Sequence, residues 1–214
     1  MPKVTNKNFL EFKSTGMIRT ISEEEISRAL ENVKGNFTRQ GRALIVCLYY
    51  TGARPNEVLR LTRDDVRTEG SSLLIVIKGS KGGKSRTIEL PRTRPLIREL
   101  DEYVKMIRPG LDLFGKYAGN SIVRVVNKAG VPVYYKRNGD KLKYYFKKWF
   151  GGVVEGGVYP YLLRHNAFSK MAESGLTMKD IQMVKGSANE KSILPYIHMS
   201  RSISKNVKRA YSKW

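Results

Sequence analysis

Apolar positions recur along this chain at two spacings, and the changes between them outline the predicted elements. From residue 21 to residue 61 the spacing is helical. Ile21-Ser22-Glu23-Glu24-Glu25 predicts a helix start, with Ser22 placed to cap and Glu25 three residues on to complete a capping box. A second helix is predicted from about Arg39 to Tyr50, ended by Gly52, and a third from Pro55, carrying Val58, Leu59 and Leu61. The pattern then turns strand-like. Leu73–Ile77 and Ser85–Leu90 flank a Gly- and Lys-rich tip at 78–83 and predict a β-hairpin. Helical spacing returns from Pro95 to Ile107 and stops at Pro109-Gly110. Val131–Tyr135 reads as a short strand, Lys141–Phe150 as a basic, aromatic-rich helix, and 151–157 as a flexible glycine-rich connection. Tyr161–Ser174 and Met178–Val184 are helical, and Ser202–Trp214 is a basic amphipathic tail. The expected class is α+β: a mostly helical domain with one small antiparallel sheet or hairpin.

Composition narrows what such a domain works on. A chain of 214 residues with 41% hydrophobic residues builds one substantial core. Forty Lys and Arg against nineteen Asp and Glu leave a net charge of +21, which favours a polyanionic partner: nucleic acid or an anionic membrane surface. Membrane binding calls for a basic helix with a clean apolar face, and none dominates; no apolar run approaches the length of a membrane span. The expected setting is therefore the cytoplasm, on the nucleoid or in a host cell if a mobile element encodes the chain. Two histidines and a single cysteine give no cluster at metal-ligand spacing, so neither metal nor cofactor is expected. Cys47, inside an apolar run, reads as a small buried hydrophobe.

Five separated stretches carry phosphodiester chemistry: Thr51-Gly-Ala-Arg54-Pro-Asn-Glu57, Ser80-Lys81-Gly-Gly-Lys84-Ser-Arg86, Tyr161-Leu-Leu-Arg164-His165, Lys185-Gly-Ser187 and Pro195-Tyr196. Phosphoryl transfer needs positive charge around the non-bridging oxygens and a proton for the leaving group. Arg54 and Arg164 suit the first task, because a guanidinium stays charged and holds two oxygens at once. A lysine on the hairpin tip suits the second, with Lys81, Lys78 and Lys84 in competition, plain phosphate contact being the alternative for each. Tyr196 is a candidate nucleophile among 12 tyrosines. Two nearby guanidiniums are expected to ease its ionisation.

The ordered set resembles the tyrosine recombinase (integrase) family. Thr51–Leu61 with Asp64-Asp65-Val66 is similar to its first arginine box, and Ser80–Arg86 to its β-hairpin lysine segment, with Lys81 at the catalytic position. Tyr161–His165 is similar to the second arginine box, usually His-x-x-Arg-His, and Lys185-Gly186-Ser187 falls where Leu-Gly-His is usual. Tyr196 then lands on the nucleophile, and the match covers about residues 18–200. The resemblance implies attack by Tyr196 on a DNA phosphate, a 3′-phosphotyrosyl intermediate, and rejoining to a partner strand without metal or ATP. It implies catalytic roles for Arg54, Lys81, Tyr161, Arg164, Ser187 and Tyr196. Glu57 is expected to orient Arg54 or a neighbouring backbone group, and His165 to buttress the site. Lys78, Lys84 and Arg86 are expected at double-stranded DNA. Tyr161 departs from the usual histidine and Ser187 from the usual histidine or tryptophan, as in archaeal plasmid and virus integrases.

By the same resemblance residues 1–16 are an arm or linker, 17–200 the catalytic domain, and 201–214 a basic segment that either docks on a neighbouring protomer or packs on its own domain. Family members usually carry an N-terminal DNA clamp, and only about 17 residues precede the match. The chain is expected to be a monomer when free and a tetramer on DNA. A type IB topoisomerase and a non-catalytic DNA-binding protein of the same fold are the competing readings.

Overall fold

Helix α1 (Glu23–Glu31) begins where the capping box was predicted: the Ser22 hydroxyl accepts from the Glu25 N–H, and the Glu25 carboxylate accepts from the Ser22 N–H. In the computed structural model the described residues are 20–79, 84–118, 122–126, 132–136, 140–186, 193, 194 and 196. The expectations for the arm 1–16 and for the tail 201–214 lie outside them.

Helix α2 (Thr38–Thr51) is the central element. Every residue from Ala43 to Tyr49 is buried, because the helix is covered on several sides rather than along one stripe. Cys47 lies in this run, and burial pushes its thiol up to about 12. The helix ends at Gly52, whose φ of 58° is left-handed. A Cβ there would lie 3.1 Å from both Ala167 Cβ and the Phe168 ring, so glycine also permits a close helix crossing.

The third predicted helix shrinks to the single turn α3 (Pro55–Val58). The helix is capped at Leu59, and the chain then enters a tight 3-10 turn over Arg63–Asp65, closed by the Thr62 N–H and hydroxyl, which both reach the Asp65 carboxylate at 2.9 and 3.0 Å. Leu59 and Leu61 are buried all the same, so their spacing reported burial and not helix length.

The hairpin forms as expected from β2 (Ser72–Ile77) and β3 (Arg86–Pro91), paired antiparallel from Ser72 opposite Pro91 to Ile77 opposite Arg86. The expected small antiparallel sheet is present, and the structure adds two details to it. Strand β1 (Val66–Glu69) adds an antiparallel edge to β2. Only Val66 of β1 is buried, so no alternation announces it. A separate hairpin pairs β4 (Ile122–Val126) with β5 (Pro132–Lys136), so the predicted strand at 131–135 has a partner the sequence reading overlooked. Helix α4 (Pro95–Lys105) packs on α2, and a short α5 (Gly115–Ala118) precedes the second hairpin.

Helices α6 (Asp140–Phe150), α7 (Pro160–Glu173) and α8 (Met178–Lys185) follow. The main core runs from Ile21 to Leu163, and burial of each large side chain in it contributes about 1.5–3 kcal/mol. A smaller cluster joins Phe168, Ala172, Ile181, Ile193 and Tyr196. The candidate nucleophile thus belongs to a local apolar group on α7 and α8.

Candidate active site

Two arginines are brought together from opposite parts of the chain. Arg54 immediately precedes α3, and its Nη1 lies 2.8 Å from Glu57 Oε1. The other oxygen of Glu57 accepts the Arg54 backbone N–H at 2.8 Å and Arg86 Nη2 at 3.0 Å. Burial alone would raise the Glu57 pKa, but hydrogen bonds from Arg86 and from Arg54 outweigh it and hold the carboxyl below its ordinary value. Glu57 is therefore ionised and paired with Arg54.

Among the described residues, Arg164 is held by backbone carbonyls. Its Nη1 donates to the Gly52 carbonyl at 2.6 Å and its Nη2 to the Lys185 carbonyl at 3.1 Å. Gly52 caps the C-terminus of α2, and Lys185 is the last residue of α8 before the left-handed Gly186. Two helix C-termini, each carrying roughly half a negative charge, so converge on one buried guanidinium. The Arg164 carbon also stands 4.7 Å from the Phe168 ring centroid. Burial, followed by the like charge of Arg54, lowers its pKa to about 10, so it remains a cation at neutral pH.

Tyr196 closes the site from the other side. Its phenol oxygen meets Nδ1 of His165, the residue after Arg164. Burial, then Arg164 and Lys185, depress the His165 pKa to about 4, so the ring is neutral. In the tautomer protonated at Nε2, Nδ1 accepts the phenol O–H. The Tyr196 ring lies edge-on to Phe168, with centroids 5.5 Å apart. The expected easing of Tyr196 ionisation by a guanidinium is present but outweighed. Burial raises Tyr196 to about 12 and outweighs the lowering by Arg164, so the candidate nucleophile is held as a neutral phenol.

The remaining predicted site residues divide. Tyr161 sits in the first turn of α7, three residues before Arg164, and is exposed. Lys81 and Ser187 lie outside the described residues. Lys78 bonds Asp65 at 2.7 Å with its side chain largely exposed, and Lys84 is exposed. Arg86, expected at DNA, is turned inward: its side chain is 8% exposed, and besides Glu57 it reaches the Val184 carbonyl. It ties the base of the lysine hairpin to α8. The opposing Gly186 has a φ of 63°, and a Cβ there would come within 2.8 Å of Arg86 Nη1.

The sequence reading missed one side chain. Lys185 is buried, with Nζ 5.4 Å from the Tyr196 ring centroid and 5.8 Å from that of Phe168. Burial, then Arg164 and Arg54, lower its pKa to about 8. The sequence reading quoted it only as the first residue of the Lys185-Gly-Ser187 stretch and gave it no role of its own among 40 basic residues.

The described residues thus combine a mostly helical domain, a β-hairpin, two converging arginines and a tyrosine beside them. The family model described as "Phage integrase family" matches residues 19–202, and the chain belongs to that family. A tyrosine recombinase XerA of Pyrococcus furiosus is 27% identical over 199 residues, covering 91% of this chain and 61% of that protein. Tyrosine recombinase XerD of Mycobacterium tuberculosis is 28% identical over 80% of this chain and 53% of its own length, so the chain spans little more than half of such relatives. In fold, the catalytic domain of bacteriophage HP1 integrase aligns with a TM-score of 0.53 at 17% identity, covering 90% of this chain and 95% of that one.

Proposed function

We propose that the chain is the catalytic part of a site-specific DNA recombinase, residues 17–200 forming its catalytic body. The observation that carries this reading is the meeting of Arg54, Arg164, His165 and Tyr196 at one place, from stretches separated by up to 142 residues in the sequence. Tyr196 attacks the scissile phosphorus through its phenol oxygen. Its proton passes to His165 Nδ1, the acceptor already bonded to it, so His165 takes a part beyond buttressing. The P–O5′ bond breaks and leaves a 3′-phosphotyrosyl bond, while the 5′ oxygen takes a proton from Lys81. The 5′ hydroxyl of a partner strand then attacks the phosphotyrosine, restoring the diester and the phenol. Arg54 and Arg164 stabilise the charge on the non-bridging oxygens throughout.

The reaction conserves bond energy in the covalent intermediate and draws on no nucleotide. The substrate is double-stranded DNA, consistent with the net charge of +21, with a tetramer as the working assembly and the cytoplasm as its setting. Among the described residues no helix is long and apolar enough to cross a membrane. A duplex nicked next to the cleavage site, offered as a pool of random sequences, tests the reading. The unaltered protein is expected to become covalently attached, and Tyr196→Phe to lose the adduct while keeping salt-dependent binding. No adduct at any temperature would remove the enzymatic reading. Adducts and plasmid relaxation without strand transfer between duplexes would instead indicate a topoisomerase.

A further inference from the structure

Arg86 opens β3, opposite Ile77 at the end of β2, and its nearly buried side chain reaches two other elements at once. Nη2 donates at 3.0 Å to the Glu57 oxygen that also accepts the Arg54 backbone N–H. Nε donates to the carbonyl of Val184. The next carbonyl along α8, that of Lys185, accepts from Arg164 Nη2. A continuous path therefore runs from Arg54 through Glu57, Arg86 and the last turn of α8 to Arg164. One planar fork stands behind both of the arginines that would face the phosphate.

Stability does not call for this arrangement. Arg86 adds a third guanidinium near Arg164, and its charge, like that of Arg54, disfavours the Arg164 cation. Its Nη1 is buried without a hydrogen-bond partner among the described residues, which leaves one donor desolvated and uncompensated. Gly186 makes room for that nitrogen, since a Cβ there would lie 2.8 Å from it. Glu57 already has Arg54 as a counter-ion. An apolar side chain of similar volume in place of a buried ionic group is often neutral or stabilising. It would not supply a joint of fixed shape, whereas a guanidinium holds its donors in one rigid plane. Such a joint has a use here, because Arg54 and Arg164 repel each other and a phosphate requires them at a set separation.

We propose that Arg86 is a positioning residue of the strand-cleavage reaction, setting the separation and angle of Arg54 and Arg164 so that each guanidinium meets a different non-bridging oxygen of one phosphate. The proposal rests on the recombinase reading above. It gives Arg86 no contact with DNA.

The experiment compares unaltered protein, Arg86→Met and Arg86→Lys on a nicked duplex selected from the random-sequence pool. The duplex is also made with a single phosphorothioate at the cleaved bond, as either diastereomer, so that sulfur replaces one non-bridging oxygen or the other. Adduct formation is followed in single turnover at saturating DNA. Arg86→Met is expected to slow cleavage of the ordinary duplex by about 100-fold, the loss that can follow a misplacement of about 1 Å. DNA affinity and its salt dependence are expected to stay as in the unaltered protein, because no phosphate contact is lost. The unaltered protein is expected to prefer one diastereomer, and Arg86→Met to bring the rate ratio toward unity. Arg86→Lys keeps a positive charge against Glu57 and carries the same test should Arg86→Met not fold. Its ammonium lacks the fork, so rate and ratio are expected to fall with it as well.

A merely structural role would lower the folded fraction, which scales both diastereomers alike. An unchanged ratio would therefore overturn the proposal, as would a ratio near unity in the unaltered protein. A salt dependence weakened by about one phosphate contact in Arg86→Met would make Arg86 a DNA ligand and overturn it too. Full recovery of rate and ratio by Arg86→Lys would show that a charge beside Glu57 is enough, against the rigid joint. In each of these cases the unaltered protein still forms its adduct and the recombinase reading stands. Absence of any adduct from the unaltered protein would remove that reading and the proposal with it.

Discussion

The two arginines of the site are held in opposite ways. Arg54 is clasped by the carboxylate of Glu57, which is shared with Arg86, and about a third of its side chain is open to solvent. Arg164 is buried and held by two carbonyls at helix ends. A carboxylate cancels a full charge, so Arg54 offers a phosphate mainly a well-aimed hydrogen-bonding fork. Carbonyl dipoles cancel only part of a charge, and Arg164 keeps a surplus in a poorly solvated place. The difference suggests a division of labour. On the proposed function, Arg54 is expected to set orientation and Arg164 to supply most of the field.

The substitution expected to matter most is Arg164→Ala. It removes the surplus charge and leaves two helix-end carbonyls without their donor, so adduct formation should fall by about 1000-fold, the upper end for one oxyanion donor. The melting temperature should fall with it. Arg54→Ala should slow cleavage by about 100-fold, the lower end of the same range, with a smaller change in melting. Equal losses of rate in the two variants would break the comparison.

Glu57→Gln tests the clasp itself. It leaves Arg86 buried without a counter-charge, and loss of one member of a buried pair costs about 3–5 kcal/mol, measurable by denaturant unfolding. Its pH signature follows from the lowered carboxyl pKa. The stabilisation is present above the unfolded carboxyl value of about 4.3 and is lost as pH falls through the lower folded value. Glu57→Gln should therefore flatten the acid limb of the stability curve.

Gly186→Ala should be milder, costing about 1–2 kcal/mol for a left-handed backbone and pressing on Arg86 as well. Tyr161→His should have the smallest effect and the opposite sign. Single-turnover cleavage near neutral pH should quicken, by less than the about 100-fold of a well-placed general base. Unchanged cleavage would mean that Tyr161, exposed in the first turn of α7, stands outside the chemistry.

Arg54, Arg164 and Tyr196 were legible because each lies in a stretch whose neighbours also fit one pattern. The helix ends at Gly52 and Gly186 were legible through glycine's tolerance of a left-handed backbone. What could not be read was direction. Nothing local distinguishes Arg86, which turns in to Glu57, from Lys84, which stays exposed. Lys185 enters the site only because α8 ends beside α7, a fact of packing. The raised pKa of Tyr196 was missed for the same reason: neighbouring guanidiniums can be guessed from motifs, whereas burial depends on the assembled cluster of Phe168, Ile181 and Ile193. Strand β1 went unnoticed because one buried valine makes no alternation.

The carbonyls that hold Arg164 come from residues 112 positions before it and 21 after it. Such contacts form only when distant parts of the chain have docked, and long sequence separations are slow to close. A nascent or partly unfolded chain therefore has the tyrosine and the arginine without the geometry that joins them. The candidate site is thus a product of the assembled fold, with no local version of it in any one segment.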